Sequence, residues 1–383
     1  VIYMDDPKLK STYLRLAEIG IEQLLEGETP HLIDEWQLAP QLWDAIRYEV
    51  DHREALGQFI LTGSAVPADT SKIDHSGTGR FARLTMRPMS LWESGDSTGD
   101  VSLQALFEGE EQVRGFSDFE LGDIAYLICR GGWPRAVDMD KDIALDQAKD
   151  YVDSVAESDL SRVDGVQRSS ETTRRLLRSY ARHQGSQATL GTITADITSG
   201  GSYEVSDRTI SDYIDALRKI FLIEDAEAWN PNLRSKTAIR SSDTRYFVDP
   251  SIATGALGIG PGDLVKDPNT MGLLFETLCV RDLRVYAEAL DGKVFHYRDK
   301  NDLECNAVLH LRDGSYGLIE IKLGGDKLIQ EGASTLTKLA EKIDTNKMST
   351  PSFKMILTAV GSYAYRLSDP DDVIVVPIGC LKP

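Results

Sequence analysis

Cysteine is scarce: the 383 residues hold four, Cys129, Cys279, Cys305 and Cys380, each standing alone. That scatter excludes the paired spacing of a zinc site and the density of a secreted disulfide scaffold, and it leaves buried, reduced thiols. Long hydrophobic runs are missing too. No stretch approaches the roughly 20 apolar residues of a membrane-spanning helix, and the opening VIYMDDP has neither a basic nor an apolar signal region. The expectation is a cytoplasmic chain with no membrane partner. Positive charge is also in deficit, and the formal charge of -19 repels a polyanion. Contact with nucleic acid would therefore need a local basic patch. No repeat at the period of a solenoid or propeller is evident.

What is present is a 41% apolar composition, enough for two or three domains. The chain opens on a strand and turn with no initiator Met, so it is expected to begin inside a domain. Leu32 and Ile33 form a short apolar strand ending in Asp34-Glu35. A helix follows, with Leu42, Trp43, Ile46 and Val50 on one face. Phe59, Ile60 and Leu61 then make a second strand that stops at Thr62-Gly63-Ser64, giving a strand-helix-strand unit of the parallel-sheet type. Past Pro88 the sequence is loop-rich and acidic, and a linker is expected near Glu93 to Gly115. Helical periodicity resumes through Leu121, Ile124, Ala125 and Ile128, before the Gly131-Gly132-Trp133-Pro134 break.

From Glu171 to Arg245 three helical stretches precede two strand-like ones, an order that suits a winged helix. The third helix starts at Ser206 with Ile210, Tyr213, Ile214 and Leu217 on one face. The last third reads as a second α/β domain. It has a long helix around Leu273 to Leu290, strands at Val294 to Arg298, Glu304 to Leu311 and Tyr316 to Lys322, a helix near Ile329 to Ile343, and two more strands.

An apolar strand ending in two acids meets a need of ATP hydrolysis. The first carboxylate, Asp34, can hold the water shell of a magnesium ion, and the second, Glu35, can polarise the attacking water. Thr62 and Ser64 would lie beside Asp34 if the two strands are neighbours, where a hydroxyl can sense a γ-phosphate. Arg80, in a loop before a Leu84-Thr85-Met86 strand, could act as an arginine finger. The plainer alternatives are two solvated acids and a solvated loop cation. In the last third, Glu320-Ile321-Lys322 places an acid and a cation on one strand face, as metal-dependent phosphodiester cleavage requires; a solvated strand face is the alternative. In the middle, Arg208, Arg218 and Lys219 on the third helix, and Arg234, Lys236 and Arg240 where a wing would be, could touch DNA phosphates. Asp207, Asp212 and Asp215 on that same helix argue for a purely packing role.

Taken together, HLIDEWQ at His31 to Gln37, Phe59 to Ser64, SGTGR at Ser76 to Arg80 and RPMSL at Arg87 to Leu91 resemble prokaryotic AAA-type P-loop ATPases with a C-terminal domain of unknown function. The resemblance runs through nearly the whole chain. It implies that Asp34-Glu35 is the Walker B motif, that Thr62 to Ser64 occupies the sensor position, and that Pro88 to Glu93 closes the ATPase core. Gly131 to Arg135 is similar to a loop of the same family. The family's Gly-rich loop is expected upstream of Val1, for no GxxxxGK[ST] string occurs in these residues. ATP and Mg2+ are thus cofactors implied for the intact parent, with nucleotide binding by this chain expected to be weak.

Met271 to Ile378 resembles the restriction-endonuclease-like PD-(D/E)XK fold. That resemblance implies a site of Glu276 on the long helix, an acid at the position of Asn306, and Glu320 and Lys322. Asn306 breaks it, since an amide oxygen brings no charge and the site should hold metal weakly. The expected metal-facing carboxylates across the chain are Asp34 and Glu320.

The resulting expectation is an α/β chain with four parts. They are a truncated P-loop ATPase parallel sheet over residues 1–95, a helical linker region over 96–165, a winged helix over 166–262 and a nuclease-like α/β domain over 263–383. Its function would be that of an ATPase fragment coupled to a DNA-binding winged helix and an inactive nuclease-like module. A non-catalytic DNA-binding or interaction module, and an ATP-regulated magnesium nuclease, are the competing readings.

Overall fold

The computed structural model describes residues 1–53, 55–162, 164–199, 204–231, 242–367 and 372–383. The chain is mixed α/β and divides into two compact units. The first comprises Val1–Met86, Glu157–Ser169 and Asp212–Phe221; the second comprises Arg87–Ala156, Ser170–Ser211 and Leu222–Pro383.

In the first unit, β1 (Ile2–Tyr3), β2 (His31–Asp34) and β3 (Phe59–Leu61) form a parallel sheet in the order β1-β2-β3. Ile33 pairs with Ile2 on one side and with Leu61 on the other. Because side chains alternate along a strand, Met4, Ile33 and Leu61 share one face with Phe59. That face packs against α1 (Lys10–Ile19) and α2 (Leu42–His52) through Ala17, Leu42 and Ile46. Helix α2 buries Leu42, Trp43 and Ile46, the stripe that its 3.6-residue period predicts. The opposite face carries Tyr3 and Ile60, which are 54% and 47% exposed, an unusual condition for a parallel sheet, whose faces are normally both covered. Leu84 to Met86, expected as a strand, is irregular, and Leu84 and Met86 are exposed.

The second unit is built around a seven-stranded sheet. Its strands are β5 (Gly115–Phe116), β6 (Gly292–Arg298), β7 (Glu304–Leu311), β8 (Tyr316–Lys322), β9 (Phe353–Thr358), β10 (Tyr363–Arg366) and β11 (Ile374–Pro377), in the order β5-β10-β11-β9-β8-β7-β6. Strands β8, β9 and β11 run parallel, and the outer pairs are antiparallel. A 17-residue helix, Asp326–Lys342, makes the crossover from β8 to β9 that a parallel pair needs. It packs Leu336 and Leu339 with Val308, Leu318 and Ile356 in one core. The long helix Pro268–Ala289 lies just before β6, with an Asp267 side chain capping its first turn.

The segment expected to be a linker, Glu93 to Gly115, is part of this second unit. Val101–Ser102 (β4) pairs in parallel with Leu381–Lys382 (β12), and Ser97 Oγ donates to Leu381 O at 2.7 Å. Backbone pairing with the distant C-terminus is a long-range contact that local composition does not display.

Between the sheets' strands in sequence lie three helices, Ser170–Arg182, Leu190–Thr198 and Asp207–Lys219. Ile210, Tyr213, Ile214 and Leu217 are buried on the last of them. Two antiparallel bridges, Ile223 to Phe247 and Ala226 to Thr244, follow.

Two buried carboxylates tie remote segments of the second unit together. Arg281, 1% exposed at its side chain, bonds Asp249 Oδ2 at 2.9 Å and Asp282 Oδ1 at 2.7 Å. Asp249 also accepts from Gly132 N at 2.9 Å, and Asp282 from Leu91 N at 3.0 Å. A Cβ on Gly132 would stand 2.2 Å from Met89 O, so the Gly131-Gly132 break serves close backbone contact. Trp133 Nε1 completes it by donating to Ser251 Oγ at 2.9 Å.

Candidate functional site

In the first unit the carboxyl ends of β2 and β3 lie side by side. Thr62 N donates to Ile33 O and Trp36 N to Thr62 O, both at 3.1 Å, so the two chain exits remain in register past the last strand residues. As a result Thr62 Oγ1 donates to Asp34 Oδ1 at 2.5 Å, and Ser64 Oγ to Glu35 Oε2 at 3.0 Å. Gln37 Nε2 bonds the same Glu35 oxygen. Glu35 itself adopts φ +53°, ψ 39°, a left-handed conformation that non-glycine residues take only at a cost of about 1–3 kcal/mol. The four residues Asp34, Glu35, Thr62 and Ser64 thus converge at the mouth of the sheet, where ligands of parallel sheets bind.

Arg80 is not brought to them. Its Nε donates to Asp51 Oδ1 at 2.8 Å, and Asp51 is in the last turn of α2. An 11-residue helix running back from the sheet mouth spans about 16 Å, which sets Arg80 toward the opposite end of the strands. An ionic partner on α2, 29 residues away in the chain, explains the difference from the expected finger.

In the second unit, Glu276 on the long helix, Asn306 on β7, and Glu320 and Lys322 on β8 do assemble. Asn306 Nδ2 donates to Glu276 Oε2 at 2.8 Å, and Asn306 Oδ1 accepts from Ile321 N at 2.9 Å. Lys322 Nζ lies 2.7 Å from Glu320 Oε2. Tyr246 OH donates to Glu276 Oε1 at 2.5 Å. Burial pushes the Glu276 carboxyl up from the ordinary 4.5 to about 7; the Tyr246 hydroxyl opposes this, and the nearby Glu320 adds to it. Glu320 is raised as well, by burial, against the pull of Lys322. Burial lowers Lys322, but the attraction and hydrogen bond of Glu320, with Glu276 behind it, raise it on balance. The cluster is therefore self-contained: amide and ammonium groups occupy the positions around its acids. Among the described residues no group of three or more His, Cys, Asp or Glu could hold a metal ion, and Asp34 and Glu320, expected to face metal, belong to no such group.

Of the cations expected at DNA, Arg208 is exposed and Arg218 pairs with Asp215 at 3.0 Å. The backbone carbonyl of Lys219 accepts from Val66 N at 3.0 Å. Arg234, Lys236 and Arg240 lie outside the described residues. Two residues in these clusters carry little or no signal in the sequence. Gln37 stands two positions past Glu35, and that spacing within HLIDEWQ was its one visible signal. Tyr246 lies between the bridge residues Thr244 and Phe247, 30 residues upstream of Glu276, and had none.

Residues 1–94 match the AAA domain family. Over those residues the chain is similar to an ATPase-like module. ATP and Mg2+ dependence belongs to that parent family. Residues 121–263 match a domain of unknown function, DUF8612, and residues 271–381 match another, DUF4143. The order of an AAA domain followed by a C-terminal domain of unknown function agrees with the family architecture expected above. An uncharacterized protein of Mycobacterium tuberculosis and one of Mycobacterium bovis are each 23% identical over 291 residues, covering 76% of this chain and 58% of the relative. The chain thus spans little more than half the length of the curated relatives it matches. No solved structure matches it. Among the described residues no helix is long and apolar enough to cross a membrane.

Proposed function

We propose that residues 1–94 supply the acidic, water-activating part of a magnesium-nucleoside triphosphate site in an ATP-hydrolysing protein. The observation that carries this reading is the convergence of Asp34 with Thr62 and of Glu35 with Ser64 at the carboxyl end of a parallel sheet. The donor set fits the ligand. Among the described residues Asp34 Oδ2 and Glu35 Oε1 meet no hydrogen-bond donor, so each acid keeps one oxygen for a hydrated cation or a water. Asp34 would hold the magnesium water shell, and the ion would neutralise phosphate charge. Glu35 would accept the proton of the attacking water, while Thr62 holds Asp34 in place.

A phosphate cradle of the Gly-rich type does not occur in residues 1–383. Among the described residues β3 is an edge strand, and Tyr3 and Ile60 on one face of the sheet are exposed. A strand added in parallel at that edge would set its following loop beside Thr62, and its helix over the face that carries Tyr3 and Ile60.

In the product of the complete reading frame, Glu35→Gln is expected to lower kcat for ATP at least about 100-fold while ATP binding persists. Unchanged turnover would overturn the assignment. Residues 1–383 by themselves contain no GxxxxGK[ST] loop, and they are expected to give no saturable ATP isotherm in the micromolar range by calorimetry. Micromolar affinity would mean that phosphates are held by groups other than a Gly-rich loop.

For the C-terminal module we propose a restriction-endonuclease-like core that has exchanged its metal centre for a hydrogen-bonded bridge. Its support is the order of long helix, β6, β7, β8, crossover helix and β9, together with the Asn306 amide between Glu276 and the β8 backbone.

A further inference from the structure

We propose that Gln37 is the positioning residue that holds Glu35 ready for water activation, an inference that rests on reading the sheet mouth as a nucleotide site. The left-handed backbone at Glu35 turns the chain out of β2 and back toward Thr62-Gly63-Ser64. There Gln37 Nε2 donates to Glu35 Oε2 and lies 3.5 Å from Ser64 Oγ. Ser64 Oγ donates to the same carboxylate oxygen at 3.0 Å. Two donors from two different strand exits therefore meet on one oxygen, which fixes the carboxyl plane, and Oε1 stays free. A general base works only when its oxygen stands within hydrogen-bond reach of the proton it removes. Pinning Oε2 is how a flexible glutamate achieves this without losing its second oxygen.

Two further observations say that the amide is there for the carboxylate. A Cβ at Gly63 would lie 2.2 Å from Gln37 Oε1, so the glycine in the middle of Thr62-Gly63-Ser64 makes room for the amide. Gln37 Oε1 is also buried with no hydrogen-bond partner. The side chain thus leaves its own acceptor unsatisfied, which costs free energy, and keeps its Nε2 on Glu35. A neutral amide suits this position, because an ammonium in its place would pair with Glu35 and weaken it as a base.

The test is steady-state ATP hydrolysis by the complete reading-frame product. Gln37→Met, which keeps length and removes the donor, is expected to lower kcat about 10-fold or more, with KM for ATP changed by less than about 2-fold. Ser64→Ala, at an exposed position, should give a smaller fall. The double variant should depart from the product of the two single effects, because both donors serve one oxygen. Gln37→Glu has the same shape but turns a donor into a like charge, and it should lower kcat further than Gln37→Met; it also covers the case in which Gln37→Met fails to fold. Glu35→Gln separates the two levels of inference. If Glu35→Gln turns over normally, the nucleotide-site reading fails. If Glu35→Gln is inert but both Gln37 variants keep wild-type kcat, or if their effect falls on KM alone, the positioning role fails by itself.

Discussion

Arg281→Ala is expected to lower the stability of the second unit by about 3–5 kcal/mol, read as a shift of the urea midpoint at constant slope. The guanidinium is 1% exposed between two carboxylates that are 0% exposed. Burial pushes Asp282 up even with Arg281 beside it, which is the signature of one cation shared by two acids in a dry setting. Removing the arginine leaves both acids buried without their counter-charge, and that penalty, rather than the loss of an attraction, sets the size of the effect. The damage should spread, because Asp249 also holds Gly132 and Asp282 holds Leu91. The chain after Met86 and the Gly131 to Trp133 turn would loosen together. Arg281→Met combined with Asp249→Asn and Asp282→Asn removes all the charges at once. It should be less harmful than Arg281→Ala, since no uncompensated ion remains. A loss below about 1 kcal/mol for Arg281→Ala would show that water reaches this triad.

That triad also marks the limit of what the residue order reveals. Elements with a strong period are legible. Glu304 to Leu311 and Tyr316 to Lys322 are strands over the very residues that read as strand-like runs, and Leu42, Trp43 and Ile46 form the buried stripe of α2. Legibility falls where a contact joins segments far apart in the chain. Nothing near Val101 announces its pairing with Leu381, and nothing near Asp282 announces its bond to Leu91 N, 191 residues away. The acidic stretch around Glu93 therefore reads as a linker in the sequence, although Glu93 Oε2 accepts from Ser90 N at 2.8 Å and caps its own turn. Leu84 to Met86 is apolar enough to be expected as a strand, but among the described residues no strand pairs with it in a ladder, and a single strand has no stability of its own.

The same distinction applies to the two clusters. At the sheet mouth, Asp34 and Thr62 meet because adjacent parallel strands end together, so a sequence rule about strand ends could bring them into one place. Arg80 came with no such rule. A loop arginine pairs with whichever acid is near, and in this fold that acid is Asp51. In the C-terminal module the spacing of Glu320 and Lys322 on one strand carried their proximity. The partner that decides the chemistry, Asn306, was visible only as a departure from a pattern, and its hydrogen bonds show what the departure does.

Asn306→Asp should convert that bridge into a repulsion, with a pH signature opposite to that of an ordinary salt bridge. The Asn306 amide spans Glu276 Oε2 and Ile321 N at 2.8 and 2.9 Å. An aspartate keeps the acceptor for Ile321 N, but it turns a second carboxylate oxygen toward Glu276 at close to the same distance, so one of the two acids must hold a proton. In the wild type, burial already raises Glu276 from 4.5 to about 7. Between those values the folded state keeps a proton that the unfolded state has released. Stability therefore falls as pH rises through that window, by at most about 3 kcal/mol, and is fully retained below it. The variant should deepen this fall. At mildly alkaline pH it is expected to be about 2–4 kcal/mol less stable than the wild type, through the lost charge-assisted hydrogen bond and the added repulsion. At mildly acidic pH the deficit should shrink, because the acids are then neutral. Urea melts at both pH values measure it directly. Millimolar Mg2+ provides the second axis: three acids in place of two should let the ion stabilise the variant at alkaline pH and leave the wild type unaffected. Magnesium-dependent nicking of a supercoiled plasmid by the variant alone would then identify the wild-type cluster as a nuclease centre closed by one amide. Equal stability of the two proteins at alkaline pH would mean instead that Asn306 bridges nothing of energetic consequence.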